Sequence, residues 1–156
     1  MSNITLGAAE EIIDAAHKCA LTFGKAVSVA VVDAGGFVVA IRRPDGARPL
    51  TPDIARAKAY TAAVMQRPGR MLKQWQESQP VFFSQLSQLP GAALPIMAAD
   101  GSVTIKRDGE IIGGLGIAGG TADEDQRIAD DVLESLGYEL EFDAWGVSGK
   151  PAGKEA

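Results

Sequence analysis

Apolar positions in the first quarter of the chain change their period once. From Leu6 to Phe23 they recur every three or four residues. At 100° per residue, Leu6, Ala9, Ile13, Ala16, Ala20 and Phe23 fall on one face. This pattern predicts an amphipathic helix over 5–24, with Thr5 as N-cap and Gly24 as stop. The apolar runs Val27–Asp33 and Phe37–Arg42 then crowd β-branched residues around Ala34-Gly35-Gly36, which predicts a hairpin. Leu50-Thr51-Pro52-Asp53 opens a second helix: Thr51 can cap it, Pro52 suits its first position, and Asp53 favours its positive end. That helix should reach Arg67, before Pro68, and Gly69–Gln79 continues as a further helical piece. Residues 80–93 follow neither period and read as a long loop.

Three strands are expected next, Leu94–Ala98, Ser102–Lys106 and Glu110–Ile117, with Asp100-Gly101 and Asp108-Gly109 as the turns between them. Thr121 and Glu124 form a capping box for a last helix that ends at Gly137. Hairpins dominate this order, so the expected fold class is α+β with a mainly antiparallel sheet. Residues 1–137 read as one domain, and 138–156 as a partly ordered C-terminal extension in which Trp145 can dock.

Composition narrows the chemistry. The chain has 156 residues, with 46% hydrophobic and 22% charged, which suffices for one core without a disulfide or metal staple. It contains one histidine, His17, and one cysteine, Cys19. Those two are too few for a zinc site; an all-carboxylate Mg2+ or Ca2+ site stays open although no metal site is expected, and a single cysteine cannot close an intramolecular disulfide. A net charge of −5 argues against nucleic acid and anionic membranes as partners. No stretch approaches the roughly 20 apolar residues that span a bilayer, and the opening residues lack a signal-peptide pattern. A cytoplasmic protein is expected.

Gly114-Leu115-Gly116-Ile117-Ala118-Gly119 matches the dinucleotide fingerprint GxGxxG and follows a strand. Only the residues from 120 to 156 remain, too few for a mononucleotide-binding half, so the glycines instead mark close approach by a helix or a ligand. Asp123, Glu124 and Asp125 sit in a first helical turn, where the macrodipole favours acidic residues. Lys58 is more informative. On the wheel of its helix it falls among Ile54, Ala62 and Met65, while Arg56, Tyr60 and Arg67 take the opposite, wet face. A lysine on an apolar stripe must pair, snorkel or lose its proton. It can serve as an anion clamp or an amine of lowered pKa, or form an ion pair with Asp33 or Asp53.

His17 and Cys19 are both potential ligands of heme iron. Two residues apart on a helix they point about 200° from one another, so one regular helix cannot aim both at one metal. The basic segment Arg42-Arg43-Pro44-Asp45-Gly46-Ala47-Arg48 offers Arg42 and Arg48 to a ligand carboxylate.

Three stretches, Val27–Gly36 (VSVAVVDAGG), Asp53–Ala63 (DIARAKAYTAA) and Glu110–Thr121 (EIIGGLGIAGGT), together resemble the GlcG/HbpS family, a heme-degrading domain also found at the C-terminus of PduO-type proteins. The likeness extends over roughly residues 5–137. It implies a profilin-like fold, an antiparallel five-stranded sheet flanked by helices, assembled into homo-oligomers. It also implies that some members bind heme, with pocket positions at Asp33, Asp53, Lys58, Gly113, Gly114 and Gly116. The helix carrying His17 and Cys19 is where PduO-like members hold similar ligands. The chain departs from the family's pattern at 90–95 and in Phe82-Phe83.

Three functions follow from different classes. One is a small-ligand-binding protein that takes heme as cofactor, with His17 or Cys19 as axial ligand and Asp33, Arg42, Arg48, Gly114 and Gly116 around the ligand. The alternative is a cofactor-independent enzyme for a small carboxylated or aromatic catabolite, with Lys58 and Asp53 as its catalytic groups. A structural partner without chemistry of its own is a third.

Overall fold

The computed structural model describes residues 2–140. Helix α1 (Leu6–Thr22) leads into strands β1 (Ser28–Asp33) and β2 (Val38–Arg42). Helices α2 (Thr51–Met65), α3 (Gly69–Ser78) and α4 (Pro80–Leu86) follow, then β3 (Ser102–Arg107), β4 (Glu110–Ala118) and α5 (Ala122–Ser135). The sheet order is β2-β1-β4-β3 and every pairing is antiparallel. The α+β class and the antiparallel sheet therefore stand, but the sheet has four strands among the described residues, not five.

The missing strand is Leu94–Ala98, which runs as irregular backbone beside α2. Its backbone N–H groups go to side chains instead of a ladder. Ile96 N donates to Ser87 Oγ at 2.7 Å and Met97 N to Thr61 Oγ1 at 2.8 Å, and just ahead of them Ala93 N donates to Tyr60 Oη at 3.0 Å. The expected loop over 80–93 contains α4, whose Phe83 is buried and packs edge-on to Trp75. Residues 93–97 run along the outer side of α2. Tyr60, expected on a wet face, is therefore buried, and so are Ala57 and Thr61.

The two faces of the sheet differ in side-chain size because strand residues alternate between them. Val29, Val31, Val103, Ile105, Leu115 and Ile117 face α1 and α5, where they meet Ile12, Ile13, Ile128 and Leu133 in the main core. The other face is nearly flat. Ala30, Val32 and Ala118 meet Ala55, Ala59 and Ala63, which recur every fourth residue on α2. A Cβ added at Gly116 would collide with the Ala55 carbonyl, and one at Gly114 with that of Ala59. These two glycines let α2 lie against the backbone of β4.

Local signals mostly hold. Thr5 Oγ1 accepts from Ala8 N at 3.2 Å, and Thr121 with Glu124 makes the expected capping box. Asp108 (φ 53°) and Gly109 (φ 75°) form the left-handed pair of a tight β3–β4 turn. Thr51 is not an N-cap: it is the first helical residue, its hydroxyl donates to Arg48 O at 2.7 Å, and Leu50 takes the cap position. Tyr138 is buried and Glu139 N donates to Lys106 O, so the chain is packed beyond residue 137. Trp145, expected to dock, lies outside the described residues.

Candidate functional site

Lys58 on α2 and Asp125 on α5 form a buried ion pair. Lys58 Nζ lies 3.2 Å from Asp125 Oδ2 and donates to Ile117 O at 2.7 Å, with side-chain exposures of 8% and 5%. Asp125 Oδ1 accepts from Gly120 N at 2.9 Å, which closes the turn into α5. Burial pulls the Asp125 carboxyl upward from its ordinary value, against the Lys58 ammonium and the Gly120 N–H, which favour the charged form. Lys58 therefore pairs with Asp125, not with Asp33 or Asp53. The sequence offers a weak signal for this partner: Asp125 falls one turn from Ile128 and Ala129 on the buried side of α5, unlike exposed Asp123.

Asp53 is on the other side of α2. It is exposed and borders a shallow apolar groove of about 280 Å³ formed with Ile54, Ala57, Leu94 and Met97. The two residues proposed for catalysis are not brought together. Gly114 and Gly116 are covered by α2, as described above. Arg48 is exposed in the segment leading into α2.

Asp33 sits in the β1–β2 turn. Its Oδ1 accepts from Gly35 N at 2.9 Å and from Phe37 N at 3.0 Å, and the residue lines a cleft of about 670 Å³. This cleft lies at the opposite end of the hairpin from Arg42, which pairs with Val29.

The structure does bring His17 and Arg42 together. His17 lies on α1 against the backbone of Arg42 on β2 and of Val27 just ahead of β1. Its Nε2 is buried and has no hydrogen-bond partner. Burial lowers its pKa from the ordinary 6.5, against the pull of nearby Asp14, and so favours neutral imidazole. Arg42 spreads over the same seam, with its guanidinium 2.9 Å from Asp14 Oδ1 and 3.6 Å from Glu10 Oε1, and remains 44% exposed. Leu21, one helical turn from His17, is 72% exposed. Cys19 points elsewhere: its thiol is packed at the edge of the main core, where the charges of Asp131 and Arg127 on α5 reach it. Burial pushes that thiol's pKa up, which keeps it protonated near neutral pH.

Among the described residues, no group of three or more His, Cys, Asp or Glu side chains could hold a metal ion, and no helix is long and apolar enough to cross a membrane.

Residues 4–134 match the family model described as "Haem degrading protein HbpS-like". An uncharacterized 15.0 kDa protein of Citrobacter freundii is 30% identical over 135 residues, covering 86% of this chain and 92% of its own length. The crystal structure of a Streptomyces reticuli HbpS double mutant superposes with a TM-score of 0.75 at 32% identity, covering 88% of this chain and 89% of that one. The crystal structure of a PduOC:heme complex gives 0.77 at 26% identity, covering 88% and 98%.

Proposed function

The chain belongs to the HbpS-like family, and from that premise we propose that it is a small-ligand-binding protein that takes heme on the α1–β2 seam, with His17 as axial ligand. The observation that carries this reading is the unpartnered, buried Nε2 of His17. Burial favours the neutral imidazole over the imidazolium, and a neutral ring nitrogen is suited to iron once the ring turns outward. Arg42 is placed to meet a propionate by exchanging it for Asp14 or Glu10. Exposed Leu21 offers apolar surface to a porphyrin edge. Cys19 fits less well, because a raised thiol pKa disfavours the thiolate that iron prefers. Bound heme would supply the redox and Lewis-acid chemistry; the chain's own residues bind and orient it.

A relative solved as a heme complex supports this reading, and so does the family's description. One face of α1 can cover only one face of a porphyrin. The reading therefore includes a homo-oligomer in which a second copy closes the site. The enzyme reading finds no support in the arrangement: Lys58 is committed to Asp125 and is shut away from Asp53.

Titration of the full chain with hemin, followed at the Soret band, tests the proposal. Saturable binding at micromolar heme is expected, with the band lost or shifted in His17→Ala and retained in Cys19→Ser. A chain that produces no saturable spectral change, or a His17→Ala variant whose spectrum matches the parent, would end this assignment.

A further inference from the structure

We propose that the cleft between the β1–β2 and β3–β4 turns binds a small organic ammonium ion. At about 670 Å³ it falls within the usual range of ligand pockets, roughly 300–1,000 Å³. Asn3, Asp33, Phe37, Gln66, Lys106 and Glu110 supply its chemistry. It is separate from the His17 seam, being at the far end of the β1–β2 hairpin.

Three features of the wall select for a cation. Asp33 is held rigidly by two backbone N–H groups on Oδ1, which leaves Oδ2 without a partner among the described residues. Phe37 is a large aromatic side chain at 74% exposure, although it lies at the rim of a cleft. Gly35 stands between the two. A Cβ there would come 3.2 Å from two carbons of the Phe37 ring and 3.4 Å from Asp33 Oδ1. The bare Cα thus lets an aromatic ring and a carboxylate flank the same small volume. Glu110, whose Oε1 accepts from Ser2 N at 3.2 Å, adds a second negative charge to the wall. The Glu139 carboxylate, bound to Gly109 N at 2.9 Å, lies just beyond.

Among the described residues Lys106 is the single cation lining the cleft, and it already has an interaction of its own. The balance of lining charge is therefore negative, and an anion meets repulsion from Asp33 and Glu110. An ammonium group gains from both carboxylates and from the negative face of the Phe37 ring. The Gln66 amide, carried by a left-handed backbone (φ 55°), adds donor and acceptor groups for a hydroxyl or carbonyl on the same ligand.

Amide chemical shifts of the 15N-labelled full chain test this, with choline as the probe and 3,3-dimethylbutan-1-ol as its neutral isostere. Choline should shift the Gly35, Phe37 and Gly109 amides saturably, while the isostere leaves them in place. Phe37→Ala and Glu110→Gln, both at exposed positions, should each weaken choline binding roughly 3- to 30-fold. His17→Ala should have no effect, so the result is independent of the heme reading. Equal shifts from the isostere, shifts that map elsewhere, or no saturation by ~10 mM choline would each overturn the proposal.

Discussion

Lys58 illustrates how one residue's role depends on what reaches it. Its position on the α2 wheel marks it as a cation facing apolar surface, and the structure meets it with Asp125 and the Ile117 carbonyl. Removing one member of such a pair leaves a buried charge alone, a cost of about 3–5 kcal/mol. Lys58→Met should therefore lower unfolding free energy by that order in urea denaturation. Lys58→Met combined with Asp125→Asn should lose distinctly less, because the orphaned carboxylate is gone. Equal losses in the single and double variants would show that packing, not charge, dominates there. The wheel could identify Lys58 as a residue that needs a partner. It could not name Asp125, which is 67 positions away and reads locally as an ordinary first-turn acid.

At the level of elements, the small-residue face of the sheet explains both the fingerprint-like glycines and the alanine spacing of α2. Gly114 and Gly116 alternate on β4, and Ala55, Ala59 and Ala63 recur every fourth residue on α2. The glycine spacing was read in the sequence as a mark of close approach, but the sequence does not say that the alanines of α2 are what meets it. Gly116→Ala should cost about 1–3 kcal/mol or more in thermal or urea unfolding, since its methyl would strike the Ala55 carbonyl and α2 would have to lift. Gly7→Ala, where an added Cβ meets nothing within 4 Å, is the control and should be neutral or mildly stabilising. Of the α3–α4 layer, α3 was legible as the helical piece Gly69–Gln79, and α4, read as loop, was the least legible element. The layer's helices are short, and they are held by Trp75 against Phe82 and Phe83 and by the burial of Leu72 and Phe83.

Over the whole molecule, that layer is tied to the sheet and to α5 by charge. Asp100, near the start of β3, takes Arg70 and Lys73 of α3 at 3.3 Å each. Next to it, Gln126 donates to Asp130 Oδ1 at 3.0 Å. Burial is the main cause that raises the Asp130 pKa from 3.8 to about 6, with Asp131 and Glu134 adding to it and Arg70 opposing. A carboxyl with a raised folded pKa holds its proton in the folded state longer than in the unfolded one. Stability should therefore fall as pH rises from about 4 to about 6 through this group, and Asp130→Asn should remove that slope. At pH 7 the variant should be more stable by about 1–3 kcal/mol, which urea midpoints at pH 4.5 and pH 7 would measure. The sequence by itself determined the α+β class, the two hairpins, the capped ends of α1 and α5, and the short inventory of metal-capable side chains. Each of these rests on residues within a few positions of one another. Only the tertiary structure decided that 94–98 is not a strand, that Tyr60 is covered, that Lys58 belongs to Asp125, and that His17 meets Arg42 while Cys19 turns to α5. Those outcomes depend on which distant surfaces pack together, and burial and pairing energies, unlike local propensity, exist only once they do.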